Sequence, residues 1–392
     1  MVTVPEAPIS PRELAERQPD TTAEKGGPYG YVTGSANAYW APDGGVQVVT
    51  SEDHDHVVRL ESTGVLLRGL PVLTSDEGEV HPRSMSERQD AAASRRRRAP
   101  DSEPSDREGE QGQEPYLAPG VPADPPLLLS SLEDTRYGVN SRGHRTLLSV
   151  HSTIIGGESR SLVYPNVSPY AAICKIYVTY QATAGGPWLN GGQGTGFLVG
   201  PRVMVTSGHM APGGVAWQIR VIPACWNDQS VYGAGMVTYV SNNWYWNSDS
   251  GSDIMICRLW DPIGDTVGWF GTKNYSSSWE DRELWGMAGF PYDINLTHMS
   301  RELAIAVRDD DDGDDITVDG RSYDTTQVES DADEASGASG SPLWGDWGGA
   351  YAIGVHHGVE YDGTISGTET LSCASGGDGF LAAVNWARRM WG

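Results

Sequence analysis

Short apolar segments separated by turn-forming residues dominate the chain from about residue 152 onward. They are rich in Val, Ile, Tyr and Trp and include residues 172–178, 196–199, 217–222, 254–257 and 352–355. The stretches between them are rich in Gly, Asn, Ser and Asp. Many short strands with closely spaced turn signals predict an all-β fold, either a sandwich or a barrel.

One segment near the C-terminus has a different pattern. Between residues 381 and 390 the apolar positions recur at steps of three and four, as on one face of an α-helix. Arg388 and Arg389 fall in the last turn, where cations interact favourably with the helix dipole. The sequence therefore predicts a C-terminal helix on an otherwise all-β fold.

The first 150 residues differ in composition from the rest. They hold one of the 14 tryptophans, Trp40, but 15 of the 27 Lys and Arg residues. From about residue 84 to 126 the chain is rich in Gln, Ser, Glu, Asp and Pro, and such a stretch cannot bury enough apolar surface to offset chain entropy. We therefore predict a partly disordered pro-region or regulatory appendage over residues 1–151 and a main domain over residues 152–392. The four arginines at 95–98 are either a processing site or a solvated charged run.

Bulk properties exclude some function classes. The net charge of −25 argues against binding to nucleic acid or to an anionic membrane surface. No run approaches the roughly 18 apolar residues that span a bilayer. The first six residues also lack the basic start and apolar run of a secretory signal.

The four cysteines all lie in the C-terminal part of the chain, at Cys174, Cys225, Cys257 and Cys373. They form no CxxC pair, so we expect no metal site. One or two disulfides would fit an extracellular protein, and the alternative is four buried, reduced thiols. The sequence does not choose among the three complete pairings.

Separated segments carry the groups that serine hydrolysis requires, namely a hydroxyl, an imidazole, a carboxylate and backbone N–H donors. In residues 194–209 two apolar stretches flank a Gly-Pro turn, and the second runs into Ser207-Gly208-His209. Small residues allow the chain to turn there, so His209 is the candidate base. Asp253 opens the next apolar strand and is the candidate carboxylate, although Asp is also common in turns.

The nucleophile is expected in residues 335–344. Ser339 lies there in a Gly/Ser-rich loop, two residues after Gly337 and three before Pro342. Glycine adopts dihedral angles that other residues avoid. The N–H groups of Gly337 and Ser339 are therefore predicted to form an oxyanion hole, the alternative being a loop without function.

Together these segments resemble the chymotrypsin-like serine peptidases, and in detail their glutamyl endopeptidase (V8-like) branch. That branch carries T-A-G-H and G-x-S-G-S-P motifs, and this chain has T-S-G-H at 206–209 and G-A-S-G-S-P at 337–342. The order His, Asp, Ser also matches, and the likeness covers roughly residues 152–392. The motif selects Ser339 as the nucleophile rather than Ser336 or Ser341.

The resemblance implies two six-stranded antiparallel β-barrels with a C-terminal helix. It also implies a secreted, monomeric serine endopeptidase, made as a zymogen, that needs no cofactor and cleaves protein or peptide substrates. His209, Asp253 and Ser339 would be its catalytic residues and would act through an acyl-enzyme. Ala338 stands where trypsin carries the Asp that binds the new N-terminus, so that activation ion pair is not expected. Met210 stands where many relatives have Cys, so the disulfide closing the histidine loop is missing.

The resemblance also implies a substrate pocket. By position, His356 matches the histidine that binds an acidic side chain in the glutamyl branch, and His357 matches the next residue of the pocket wall. Cleavage after Glu or Asp is therefore expected. Asp333 lies six residues before Ser339, where trypsin-like enzymes place a base-binding Asp, so cleavage after basic residues is the alternative.

Two other function classes stay open at this point. A catalytically silent homologue would bind proteins through the same cleft. A carbohydrate-binding β-protein would use the many Trp and Tyr residues instead. The acidic run at 309–315 is either a calcium-binding loop or a solvated surface loop.

Overall fold

The structure of the protein is a computed structural model. It describes residues 6–10, 36–40, 46–50, 57–60, 111–123, 128–131, 137–139, 145–147, 152–155, 157–247, 251–294, 297–364 and 367–392. The arginine run at 95–98, and most of the appendage predicted to be partly disordered, lie outside these residues.

In the parts of the chain that the structure describes, eight strands precede the first barrel. They are β1 (Ala36–Trp40), β2 (Val46–Thr50), β3 (Val57–Leu60), β4 (Leu128–Ser131), β5 (Tyr137–Val139), β6 (Arg145–Leu147), β7 (Ser152–Thr153) and β8 (Ser161–Val163). Strands β1, β2 and β3 form a small antiparallel sheet, and β5 pairs with β6. Strands β7 and β8 pair with parts of the second barrel.

The first barrel is closed and antiparallel. Its strands are β9 (Ile173–Gln181), β10 (Leu189–Leu198), β11 (Val203–Thr206), β12 (Ala216–Pro223), β15 (Thr238–Trp246) and β16 (Ile254–Leu259), and β13 (Cys225–Trp226) and β14 (Gln229–Ser230) form a ribbon beside it. The neighbours around the barrel are β10, β11, β16, β15, β12 and β9. All four residues of β11 are buried, because one face lines the barrel and the C-terminal helix covers the other.

The second barrel is also six-stranded. The later elements are β17 (Gly271–Thr272), β18 (Glu283–Gly289), β19 (Ser300–Asp312), β20 (Ile316–Val318), β21 (Arg321–Tyr323), β22 (Thr326–Ser330), β23 (Glu334–Ala335), β24 (Pro342–Asp346), β25 (Ala350–Thr364) and β26 (Gly367–Gly376). Neighbours in the order β18, β24, β25, β26, β22 and β19 close into a ring because β19 also pairs with β18. The predicted pair of six-stranded antiparallel barrels is confirmed.

Helices are short except at the C-terminus. One turn, α1 (Gly264–Val267), follows the first barrel, and α2 (Gly377–Trp391) ends the chain. Helix α2 begins four residues before the predicted segment and buries Phe380, Leu381 and Val384, which confirms the predicted C-terminal helix. Within the described residues, no helix combines the length and apolar character needed to cross a membrane.

A segment of the predicted appendage, which we call the strap (residues 111–123), lies along residues 269–272. Gln113 and Thr272 exchange backbone hydrogen bonds of 3.1 and 2.8 Å, and Tyr116 and Trp269 exchange two of 3.0 Å. The Tyr116 ring stacks on the Trp269 ring with centroids 4.3 Å apart. The expected disorder of residues 84–126 is therefore wrong for the strap, because barrel-edge hydrogen bonds and one aromatic contact hold it.

The expectation of disulfides is not met. All four cysteines, Cys174, Cys225, Cys257 and Cys373, are free and buried, and they lie on four different strands. Burial raises the pKa of Cys225 to about 12 and that of the other three thiols as well. The thiols are therefore protonated core side chains, which was the alternative left open by the sequence.

Candidate active site

His209 and Asp253 meet at one end of the first barrel. Pairing of β11 with β16 places Thr206 opposite Met255, so the turn after one strand lies beside the turn before the other. His209 Nδ1 is 2.7 Å from Asp253 Oδ2, and the His209 backbone N–H donates to Asp253 Oδ1 at 2.7 Å. Both carboxylate oxygens therefore contact one histidine.

Asp253 is held from both barrels. Its side chain is 3% exposed, and its backbone N–H donates to Ser375 Oγ of the second barrel at 3.0 Å. Burial alone raises the pKa of Asp253, but the charge and hydrogen bonds of His209, with a smaller contribution from His357, hold the pKa below its ordinary value. An ionised carboxylate here favours the imidazole tautomer with its proton on Nδ1, which leaves Nε2 able to accept a proton.

Ser339 lies in the loop between β23 and β24, next to the histidine loop. Its carbonyl accepts from the Thr195 N–H at 2.9 Å, and the Thr195 carbonyl accepts from Thr206 Oγ1 at 2.7 Å. A second link runs through the His356 carbonyl, which accepts from Ser207 Oγ at 2.7 Å and from the Gly340 N–H at 2.8 Å. The structure therefore brings together the three loops that carry His209, Asp253 and Ser339.

Gly337 has a backbone conformation that suits the predicted oxyanion hole. Its φ is +96°, and a Cβ there would lie 2.5 Å from the Phe290 carbonyl oxygen and 2.5 Å from the Tyr292 ring. The neighbouring N–H groups donate within the protein, Ala338 to Ala335 and Gly340 to His356. No hydrogen bond to described residues is formed by the N–H of Gly337 or Ser339, so these two donors can serve an incoming oxyanion.

His356 lies where the sequence places the substrate pocket, on β25 beside the serine loop. It is 1% exposed. Its Nδ1 is 3.3 Å from Ser372 Oγ, and its Nε2 is 3.4 Å from Glu334 Oε2. Glu334 directly follows the Asp333 considered above, in the same acidic loop.

His357, which was predicted to lie on the pocket wall, approaches Asp253. Its Nδ1 is 3.9 Å from Asp253 Oδ2, so its ring approaches the Asp253 carboxylate from the second barrel. His356 and His357 therefore contact different carboxylates, those of Glu334 and Asp253. The contact with Asp253 was not predicted from the sequence, and the place of His357 on the pocket wall stays a prediction.

Asp333 is not the base of a substrate pocket either. It is 1% exposed, and its carboxylate accepts from the Ile155 N–H at 2.8 Å and from the Ser159 N–H at 3.0 Å. Burial raises its pKa, although these hydrogen bonds oppose that shift. Because both oxygens bind the segment 155–159, the structure corrects the predicted role of Asp333 from substrate binding to anchoring that segment.

Further buried charges surround this anchor. Glu302 Oε2 accepts from the Asp333 N–H at 2.7 Å, and burial together with the charge of Asp333 raises the pKa of Glu302 to about 7. Arg160 donates to Glu158 along one edge of its guanidinium and to Asp293 along another.

Among the described residues, Glu329, Glu360 and Cys373 form a cluster whose ligand atoms are close enough to hold a metal ion. The Gln327 amide already donates to both carboxylates, at 2.9 Å to Glu329 Oε1 and 2.5 Å to Glu360 Oε2. Burial also raises the pKa of the Cys373 thiol, which disfavours the thiolate that binds metals. These residues therefore do not fit a metal site.

Comparisons with known proteins agree with the fold. The sequence profile of the trypsin family, described as "Trypsin", matches residues 178–374. A Bacillus subtilis (strain 168) protein named "Extracellular metalloprotease" is 28% identical over 213 residues, which cover 52% of this chain and 62% of the relative. The chain thus spans less than two thirds of that relative's length.

Solved structures give two further likenesses. A Glu endopeptidase in complex with MPD is 20% identical, has a TM-score of 0.43 and matches 60% of this chain and 100% of that one. A protease from M. tuberculosis in its active form is 17% identical, has a TM-score of 0.33 and matches 56% of this chain and 80% of that one.

Proposed function

Since this chain belongs to the trypsin family of serine endopeptidases, we propose that it hydrolyses peptide bonds with His209, Asp253 and Ser339 as its catalytic triad. The observation that carries the proposal is the His209–Asp253 pair, which makes two contacts of 2.7 Å. Hydrogen bonds link the surroundings of this pair to the loop that carries Ser339. An intact set of this kind argues against the catalytically silent alternative.

In the proposed reaction, Ser339 Oγ attacks the carbonyl carbon of the scissile bond while His209 Nε2 takes its proton. Asp253 stabilises the imidazolium that forms, and the N–H groups of Gly337 and Ser339 bind the negatively charged oxygen. His209 then gives its proton to the leaving amine, so an acyl-enzyme remains. Water, activated by the same imidazole, hydrolyses the ester and regenerates Ser339.

For the primary specificity we propose cleavage after Glu or Asp, with His356 as the group that binds the acidic side chain. A histidine can donate a hydrogen bond to a carboxylate, and His356 lies on the strand beside the serine loop. Cleavage after basic residues is the second candidate. The contact of Glu334 with His356 now supports that alternative, since Asp333 is otherwise engaged.

Two broader features belong to the same proposal. Action outside the cell is supported by the name of the B. subtilis relative, which describes an extracellular protease. We also propose synthesis as a zymogen, with residues 1–151 as the pro-region. N-terminal sequencing of the active form tests this, and we expect the mature chain to start between residues 144 and 157. An active enzyme that retains residue 1 would refute the zymogen part alone.

Covalent labelling with a fluorophosphonate probe tests the catalytic proposal. Wild-type protein and the neighbouring control Ser336→Ala should both be labelled, and Ser339→Ala should not be. Labelling of Ser339→Ala at the wild-type level would refute the assignment of the nucleophile. A peptide panel differing only at the residue before the cut then separates the specificities, because faster cleavage after Arg than after Glu would contradict the acidic preference.

A further inference from the structure

Three carboxyl groups lie around the base of the serine loop, and two of them are already engaged. Asp333 accepts hydrogen bonds from the segment 155–159. Glu302 accepts from the Asp333 N–H and from the Ser159 hydroxyl. The third, Glu334, faces His356 instead.

Glu334 is aimed at His356 from a fixed backbone. Its strand β23 pairs with β7, and Glu334 lies opposite Thr153. Asp333, which precedes this strand, binds the segment 155–159, while Glu334 contacts the imidazole. The Glu334 side chain is 14% exposed, so solvent screens its charge only in part.

His356 is fixed as well and does not turn away from Glu334. Its backbone N–H donates to the Ser341 carbonyl at 2.8 Å, and its carbonyl accepts from Ser207 and Gly340. Ser372 Oγ lies 3.3 Å from Nδ1 on the other side of the ring. Nε2 is thus the ring atom that faces the Glu334 carboxylate, and it is also the donor that an acidic substrate side chain needs.

We propose that Glu334 is a specificity-determining residue that contacts His356 with an internal carboxylate and thereby weakens, without abolishing, the binding of acidic substrate side chains. An acidic residue before the scissile bond has to compete with Glu334 for one N–H donor and approaches a like charge at close range. A neutral amide of the same shape does not meet that repulsion. The inference rests on the proposed pocket at His356 and deepens it.

The test compares two peptides that differ only in Glu or Gln before the cut. Glu334→Gln should raise the ratio of kcat/KM for the Glu peptide over the Gln peptide by about tenfold or more, because it removes a like charge from a poorly screened site. The matched control Glu283→Gln, an exposed residue of the same barrel, should leave the ratio unchanged. A ratio that stays within about twofold of wild type in Glu334→Gln, or falls, would overturn the proposal.

A binding measurement keeps the test decisive if a variant turns over neither peptide. Product peptides ending in Glu or Gln are titrated by calorimetry into Ser339→Ala and into Ser339→Ala with Glu334→Gln. Glu334→Gln should raise the affinity for the Glu product, relative to that for the Gln product, by about tenfold or more. An unchanged ratio of the two affinities would refute the role of Glu334. Turnover of the Gln peptide and fluorophosphonate labelling report on the endopeptidase proposal itself, so failure of one proposal is distinguishable from failure of the other.

Discussion

Replacement of Gly337 should change both the backbone conformation of the serine loop and the proposed oxyanion hole. With φ at +96° and neighbours 2.5 Å from a would-be Cβ, Gly337→Ala should displace the N–H that we propose for the oxyanion hole. We expect kcat to fall by about 10²- to 10³-fold, the usual effect of losing one such donor. Steady-state kinetics on one peptide measure this, with Gly348→Ala as control because Gly348 also has positive φ but no neighbour within 4 Å. Equal losses in both variants would contradict the specific role of Gly337.

In the proposed mechanism, Asp253 contributes to catalysis by favouring one tautomer of the His209 imidazole. Asp253→Asn keeps the shape but stabilises the wrong tautomer of His209, so kcat should fall by about 10⁴-fold. The exposed Asp265 offers the control Asp265→Asn, which should retain wild-type kcat. A wild-type pH–rate profile in Asp253→Asn would contradict the proposed triad.

At the scale of elements, the segment 155–160 is tied to the serine loop through two adjacent carboxyl groups. The pKa of Glu302 is raised from 4.5 to about 7 in the folded protein, so the folded state binds this proton more tightly than the unfolded chain. The resulting stabilisation is complete below pH 4.5 and is lost as pH rises through 7. At about 1.36 kcal/mol per pKa unit, the change amounts to roughly 3 kcal/mol.

Glu302→Gln removes that titration, so its free energy of unfolding should depend less on pH between 4.5 and 7 than that of wild type. Urea unfolding at several pH values measures the difference. Glu283→Gln, which alters an exposed carboxylate of the same barrel, should keep the wild-type slope. A wild-type slope in Glu302→Gln would show that Glu302 does not carry the pH dependence.

At the scale of the whole molecule, the strap extends the folded unit beyond the predicted boundary at residue 152. Gly268 and Gly271 leave room for it, because a Cβ at either would lie 2.4 or 2.5 Å from a strap carbonyl oxygen. We expect the free energy of unfolding of a chain that starts at residue 124 to be about 4 kcal/mol lower than that of a chain that starts at residue 111. The estimate takes about 1 kcal/mol, net of hydration, for each of the backbone hydrogen bonds between the strap and residues 269–272. Chemical denaturation compares the two, and equal stabilities would refute a structural role of the strap.

The sequence by itself determined the strand pattern, the C-terminal helix and the candidate triad. Alternation and helical spacing are local, and the motifs around His209 and Ser339 are contiguous, so neither needs contacts between distant residues. Packing decided the rest. The spacing of Asp333 to Ser339 suggested a pocket residue. Its hydrogen-bond partners in residues 155–159 are about 180 positions away along the chain, so no local pattern indicates them.

Tertiary structure likewise placed His357 against Asp253, Glu334 against His356 and the strap against residues 269–272. In each case the partner is remote in sequence. Tertiary contacts therefore decide which carboxylates already have a partner within the protein. Composition also suggested disorder for the strap, because composition does not register backbone hydrogen bonds to a sheet edge. Local pattern thus defines the candidate chemistry of this chain, and long-range contacts decide which charged groups are left to contact a substrate.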